Sequence, residues 1–315
     1  MNRIAMTMTL AAGALMAAAP AFPQNENEGH GQAVVTVLPA NDKAPAGSVS
    51  PQDMVIKVNG KDTRITNLQP LRGQNDRLEL VVLIDSSARS SIGTQLNEIG
   101  NFVKTLPAQA KVSIAWMANG TAQLATPLTT DHQAALKGIH LPSGVPGQSA
   151  SPYFCLSNLA QHWPSGDRSA RRVVVMITDG IDYYNPRYDP NDPYMQAAVT
   201  DSVKSGLVVY SIYWQNQGRF DRSAYGTDAG QNLLNQVTQT TGGYSYWQGY
   251  GNPVSFAPYF KDLDRRLENQ YEVAFTAPLK GKSGDVANLK VKVNNVPAKV
   301  DAPQQVYVAR TTAGM

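Results

Sequence analysis

Cysteine and histidine are scarce in this chain of 315 residues, and each scarcity excludes a class of protein. Cys155 is the only cysteine, so the chain has no internal disulfide and must be stabilised by a hydrophobic core. The four histidines, His30, His132, His140 and His162, lie outside any protease-like motif. The sequence also lacks the G-x-S-x-G motif of serine hydrolases and the glycine-rich loops that bind phosphate.

An excess of charge of one sign is also missing. The chain has 27 basic and 24 acidic residues, a net charge of +3, which gives no reason to expect nucleic acid or an anionic membrane as a partner. Hydrophobic residues make up 42% and charged residues 16%, which is typical of a globular protein. Beyond the amino-terminal segment, no run is long and apolar enough to cross a bilayer.

The first residues have the pattern of a secretory signal. Arg3 precedes an apolar stretch from Ile4 to Ala19, and small residues around Ala21 suit a cleavage point. We therefore expect residues 1–21 to be removed and the protein to be exported, either to the periplasm or out of the cell. The alternative is an uncleaved membrane anchor, for which the apolar stretch is short.

Short β-rich runs flank the centre of the chain. Residues 22–32 are polar and predict a flexible leader. Residues 33–75 form an amino-terminal β-rich region, with an Asn-Gly turn signal at Asn59, and residues 271–315 form a carboxyl-terminal one. These two flanks could pair into one small β-sandwich beside the central domain.

Residues 76–270 alternate dense apolar runs with amphipathic helices. The runs LELVVLID, AKVSIAWM, RRVVVMITD and SGLVVYSIYW are typical of strands buried on both faces. Helical spacing runs from Ile92 to Leu106 and from Phe256 to Tyr271, while Ser151 and Asp192 are expected helix caps because a proline follows each. Cys155 falls on a buried helix face and is expected to be a core residue. The pattern predicts an α/β fold with a doubly wound, mostly parallel, Rossmann-like sheet.

In such a fold, ligands bind outside the carboxyl ends of the strands, where the strand order reverses. Asp85 ends one buried strand and Asp179 ends another, so both carboxylates are expected at this edge, which we call the rim. Ser87, together with Ser149 or Ser151 from a later loop, could add oxygen ligands. Magnesium prefers such oxygen donors.

At these residues the sequence resembles the von Willebrand factor A family, whose metal-ion-dependent adhesion site begins with D-x-S-x-S and ends with an aspartate before glycine. DSSAR (residues 85–89) and TDG (residues 178–180) stand for these two parts. TGGYSYW followed by LENQYEVAFTAP is similar to bacterial exported proteins of this family that carry β-rich flanks. The resemblance implies a von Willebrand factor A fold that binds a partner protein at its rim through a divalent cation.

Two departures from the family motif leave the metal in question. Arg89 stands where the family has its second serine, and Ser149 or Ser151 replaces the family's threonine. Arg89 could pair with Asp85 or Asp179 and exclude a cation, because its guanidinium is permanently charged and matches carboxylates. Alternatively, Arg89 could point into solvent and leave a weak magnesium site. The sequence leaves both hypotheses open, no cofactor and a weakly bound magnesium ion.

The acidic, aromatic stretch DGIDYYNPRYDPNDPY follows the second rim strand. We interpret it as a possible partner-binding loop, because tyrosines give rigid amphipathic contact surfaces; the residues concerned are Asp182, Tyr183, Tyr184, Tyr188 and Tyr194. The alternative is an ordered loop whose tyrosines pack on the sheet edge and whose Asp192 only caps a helix. The stretch lacks the EF-hand spacing of calcium loops.

The sequence thus favours a non-enzymatic binding module whose partner is a protein or another macromolecule of the envelope or the extracellular space. One alternative is a structural or assembly component of the cell envelope that does not use the rim. A metal-dependent hydrolase is the other, but no further histidine or acidic cluster accompanies the rim carboxylates.

Overall fold

The computed structural model describes residues 28–40, 48–185, 188–216, 223–279 and 284–310. The predicted signal sequence, residues 1–21, and the first part of the predicted leader, residues 22–27, lie outside these residues. None of the helices in the described ranges is long and apolar enough to span a membrane.

The strands and α-helices are numbered in chain order over the described residues. The strands are β1 Glu28–Pro39, β2 Met54–Val58, β3 Lys61–Asp62, β4 Arg64–Pro70, β5 Leu78–Asp85, β6 Lys111–Ala118, β7 Thr121–Leu124, β8 Arg171–Thr178, β9 Leu207–Tyr213, β10 Ser245–Tyr246, β11 Gln270–Pro278, β12 Gly284–Val293, β13 Ala298–Asp301 and β14 Gln305–Arg310. The α-helices are α1 Gly93–Thr105, α2 His132–Leu136, α3 Pro152–Gln161, α4 Pro193–Lys204, α5 Ala224–Thr241 and α6 Ala257–Glu268.

The central sheet has the strand order β10-β9-β8-β5-β6-β7, and only β7 runs antiparallel to its neighbour. This is a doubly wound order, in which the direction of winding reverses between β5 and β8. Every residue of β5 is buried because helices cover both faces. Leu80 and Val82 pack on the side of α1 and α6, whereas Val81 and Leu83 pack on the side of α3, α4 and α5. The predicted doubly wound, mostly parallel sheet is confirmed.

The helix signals of the sequence are confirmed at most positions. The side chain of Ser151 accepts hydrogen bonds from the first turn of α3, and Asp192 does the same for α4. Cys155 is buried in the core, and burial raises the pKa of its thiol. The apolar stripe predicted to run on to Tyr271 is wrong at its end, because α6 stops at Glu268 and Tyr271 lies in β11.

The two β-rich flanks come together in one curled antiparallel sheet with the order β3-β2-β12-β14-β1-β11-β4, and β13 pairs with β1 off this path. Among the described residues the two flanks form one continuous hydrogen-bonded sheet of eight strands that curls around its own core. Strand β12 joins the two parts of this sheet, because its first half pairs with β14 and its second half with β2. The flank sheet has a core of its own, which includes Val35, Ile56, Val273 and Phe275.

Strand β1 begins at Glu28, so the expectation of a flexible leader through residue 32 is wrong for residues 28–32. The polar residues of this stretch had led to that expectation. Because glycine has no side chain, the Phe275 ring can pack directly against the β1 backbone. A Cβ on Gly31 would lie 2.5 Å from Phe275 Cε2. Glycine in a strand often marks such a close approach.

An arginine at the start of β8 joins the two sheets at the end opposite the rim. Arg171 is buried, and its Nη2 lies 2.5 Å from Asp76 Oδ1. Its Nη1 donates to Leu267 O at 2.8 Å and to Gln270 Oε1 at 2.6 Å. Gln270 in turn donates to Thr36 Oγ1 of β1 at 3.2 Å. A chain of buried hydrogen bonds therefore links the central sheet to the flank sheet.

We predict that Asp76→Ala lowers the free energy of unfolding by about 3–5 kcal/mol, because it leaves the buried Arg171 guanidinium without its counter-charge. Urea denaturation measures this. The control is Asp62→Ala, which removes a solvent-exposed ion pair with Lys57 and should cost less than about 1 kcal/mol. Similar losses for the two variants would contradict the assigned role of Arg171.

Candidate functional site at the switch point

Asp85 lies at the switch point between β5 and β8 and is fully buried. Its Oδ1 accepts a hydrogen bond from Ser87 N at 2.8 Å. Its Oδ2 accepts two, from Thr178 Oγ1 at 2.7 Å and from Asn216 Nδ2 at 2.9 Å. Burial raises the pKa of Asp85, and these hydrogen bonds oppose that shift. One carboxyl group thus holds its own loop, the end of β8 and the segment after β9 together.

Of the two serines proposed as replacements for the family's threonine, the structure brings Ser149 to the site. Ser149 N donates to Ser87 Oγ at 3.1 Å, and the two hydroxyl oxygens lie 3.4 Å apart. Ser151 has a different environment, because it caps α3 and donates to Asp182 Oδ2 at 3.0 Å. Ser151 is therefore a structural residue of the loop.

Asp179 is buried one residue beyond β8, and its Oδ1 accepts from Ile181 N at 3.0 Å. The turn that follows it packs tightly on α5, because a Cβ on Gly230 would clash with Asp179 O. Gly180 has a positive φ of 72°, a conformation that favours glycine. The Asp179-Gly180 turn is therefore fixed by two glycines: Gly180, which the T-D-G motif contains, and Gly230, which no sequence pattern indicated.

Arg89 does not pair with either rim carboxylate in the described structure. Its Nε donates to the backbone oxygen of Asn216 at 3.0 Å, and its backbone N donates to Gln215 O at 3.2 Å. Trp214 Nε1 donates to Arg89 O at 3.3 Å. The half-buried arginine is thus held against the segment after β9, and Asn216 stands between it and Asp85.

Hydrogen bonds within the protein already involve several of the candidate oxygen donors. Both Asp85 oxygens and Ser87 Oγ already accept hydrogen bonds from protein groups. Across the described residues, no group of three or more His, Cys, Asp or Glu side chains is placed to hold a metal ion. The buried Asn216 Oδ1 has no hydrogen-bond partner among these residues, but a neutral amide adds no charge to the donor set. Arg89 adds a positive charge close by, which opposes a cation.

The tyrosine loop places aromatic rings on the surface beside the rim. Tyr184 and Tyr194 both contact the Phe154 ring of α3, with ring centroids 5.4 Å and 4.7 Å away. Tyr188 N donates to the hydroxyl of Tyr225 at 3.1 Å, which ties the loop to α5. Pro186 and Arg187 of this loop lie outside the described residues.

The other predicted loop residues face inwards. Asp182 is buried, and its oxygens accept from Ser151 Oγ and Tyr184 N. Tyr183 is half-buried, and its backbone N donates to Ala150 O at 3.2 Å. Asp192 caps α4 and accepts from Asn185 Nδ2 at 2.7 Å. These side chains hold the loop in shape, whereas Tyr184, Tyr188 and Tyr194 form its outer surface.

Asn216 is a site residue that the sequence pattern did not predict. It lies beyond β9, a strand that does not neighbour β5, and it reaches Asp85 because the chain crosses back to bridge Ala88. The only signal in the sequence was its place just past the end of a buried strand. Nothing in the spacing of residues predicts that crossing.

The pH dependence of stability tests the burial of Asp85. Because its pKa is raised above the ordinary 3.8, the folded protein holds this proton more tightly than the unfolded chain. The stabilisation from that proton is fully present below 3.8 and is lost as the pH rises through the folded-state pKa. Relative to Asp85→Asn, the wild type should therefore lose unfolding free energy over this range, with a slope of at most about 1.4 kcal/mol for each pH step of one. Urea denaturation at several pH values measures the difference.

Asp53→Asn serves as a control of opposite sign, because hydrogen bonds from Ser50 lower the pKa of Asp53. Relative to Asp53→Asn, the free energy of unfolding of the wild type should therefore increase as the pH rises towards 3.8. A wild-type advantage over Asp85→Asn that grows with pH would contradict the raised pKa of Asp85.

Comparison with solved structures returns von Willebrand factor A domains. An aerotolerance-related membrane protein from Bacteroides fragilis is 18% identical with a TM-score of 0.45, and the match covers 60% of this chain and 98% of that one. A von Willebrand factor type A protein from Catenulispora acidiphila is 11% identical with a TM-score of 0.46, and the match covers 92% of this chain and 76% of that one. Manganese-loaded TRAP from Plasmodium vivax is 12% identical with a TM-score of 0.41, covering 79% and 97%.

No protein-family model matches the chain, and no curated protein is significantly similar to it in sequence. At these identities and TM-scores, the similarity carries no information about the site or the partner. The D-x-S loop and the T-D-G turn lie on either side of the switch point of this sheet. The central domain has a doubly wound, Rossmann-like α/β fold.

Proposed function

We propose that the protein is a non-enzymatic module that binds another protein through its rim, and that its metal-ion-dependent adhesion site is degenerate and works without a bound cation. The observation that carries this proposal is a set of exposed tyrosines mounted beside a rigid, hydrogen-bonded rim. Tyr184 is 69% exposed, Tyr194 51% and Tyr188 42%. Tyrosine is enriched at protein interfaces because it offers a large contact area with little conformational entropy to lose.

The residues that contact these rings favour a role in partner binding over a purely structural role for the loop. The Phe154 ring contacts Tyr184 and Tyr194, and the backbone N of Tyr184 donates to Asp182, so these two rings have fixed supports before a partner arrives. Binding to an ordered surface avoids much of the entropy cost of association. Tyr225, which is also exposed, extends the same surface onto α5.

The chemistry of the described residues supports a non-catalytic role. The thiol of Cys155 is buried with a raised pKa, which makes it a poor nucleophile. His132 Nε2 lies 2.9 Å from Ala110 O at the amino end of β6, and His140 stacks on Trp116. Neither histidine is hydrogen-bonded to a rim carboxylate, as general acid–base work would favour.

We further propose that the protein works outside the cytoplasm, in the periplasm or after release. The amino-terminal pattern around Arg3 and Ala21 supports this. The partner would then be a protein or another macromolecule of the envelope or the extracellular space.

Site-specific photo-crosslinking in the native cells tests the binding surface. A benzophenone-bearing phenylalanine at position 184 should give a discrete crosslinked adduct, because this ring would lie in the interface. Tyr194→Ala in the same chain should reduce the adduct by roughly tenfold, as expected for an aromatic contact worth more than about 1 kcal/mol.

The matched control places the same crosslinker at Tyr244, an exposed tyrosine at the amino end of β10, away from the rim. No adduct of the same mass is expected there. An adduct at position 244 with none at position 184 would contradict the proposal and favour an envelope scaffold that does not use the rim.

A further inference from the structure

Arg89 occupies a fixed position on the rim. Two hydrogen bonds, from Arg89 N to Gln215 O and from Trp214 Nε1 to Arg89 O, hold its main chain. The Nε bond to Asn216 O at 3.0 Å then sets the direction of the side chain. Trp214 is itself buried and packs edge-on against Phe256, with ring centroids 5.5 Å apart. The position of the guanidinium is therefore fixed by hydrogen bonds to residues that are themselves packed in the core.

The two terminal nitrogens of this guanidinium are not used within the described chain. Neither Nη1 nor Nη2 donates a hydrogen bond or forms an ion pair with any described residue. Arg171, by contrast, uses both of its terminal nitrogens on buried acceptors. An arginine head group has about five N–H donors, and all but the Nε–H of Arg89 remain available to a ligand.

Asp85 does not form an ion pair with Arg89, because Asn216 lies between the two side chains. The Asn216 amide donates to Asp85, while its backbone oxygen accepts from Arg89 Nε. Ser90 and Ser91, which follow Arg89, are exposed and leave the guanidinium open to solvent on that side. The rim thus presents a permanent positive charge beside Asn216, on the side away from Asp85.

We propose that Arg89 is the receptor for a carboxylate of the partner protein at the rim. Two coplanar N–H donors match the two oxygens of a carboxylate, and such charge-assisted pairs are the strong hydrogen bonds of interfaces. The expected ligand is an aspartate or glutamate side chain or a chain terminus. This inference rests on the proposed function, since it names the group that the rim recognises.

Arginine-resolved NMR of the purified protein in EDTA tests the inference. The Nε–Hε signal of Arg89, assigned from its absence in Arg89→Gln, is followed during titrations with sodium acetate, sodium phosphate and sodium chloride at matched ionic strength. We expect a saturating shift with acetate and a much smaller, non-saturating one with chloride. Arg89→Lys, followed through the backbone amide of residue 90, should bind acetate roughly tenfold more weakly because it loses the paired donors.

Arg64 provides the matched control, since it is an exposed arginine on the flank sheet. Its signal should not saturate. An Arg89 response that equals that of Arg64, that fails to saturate, or that saturates with phosphate and not with acetate would overturn the inference. Because the crosslinking experiment reports on Tyr184 and not on Arg89, an adduct there without acetate binding would refute this inference alone and leave the proposed function standing.

Discussion

The rim depends on the hydrogen bonds that converge on one buried carboxyl group, that of Asp85. Ser87 N, Thr178 Oγ1 and Asn216 Nδ2 all donate to it, and they come from three separate segments of the chain. A buried carboxyl group is costly unless it is satisfied, so the loss of any of these donors would lower the stability of the domain. The geometry of the rim, including the position of Arg89 on the far side of Asn216, follows from that requirement.

Much of the fold could be predicted because its strands and helices leave local patterns of apolar and capping residues in the sequence. Dense apolar runs predicted β5, β6, β8 and β9, since a parallel sheet is buried on both faces. The longest α-helix among the described residues, α5, was not anticipated, because its serine cap, Ser223, is not followed by the proline that marked the starts of α3 and α4. The start of β1 was missed because its first residues are polar, and its glycines allow a close approach to Phe275, a contact distant in sequence.

Only those parts of the candidate site that lie at strand ends or in the family motif could be predicted from the sequence. Asp85 and Asp179 were placed on one edge because parallel strands end together. The choice between Ser149 and Ser151 required the conformation of the intervening loop, and the role of Asn216 required the crossing of the segment after β9. Arg89 was recognised as a departure from the motif, but its direction is set by backbone oxygens that no residue pattern reveals.

Manganese binding, measured by the electron paramagnetic resonance signal of the free ion, tests most directly whether the rim works without a metal. The protein is treated with a chelator, freed of it and titrated with micromolar manganese. We expect no loss of the free-ion signal, since Arg89 and the satisfied oxygens of Asp85 oppose a cation. Stoichiometric uptake of manganese by the wild type that disappears in Asp179→Ala would contradict a metal-free rim, because the rim would then hold a working metal site.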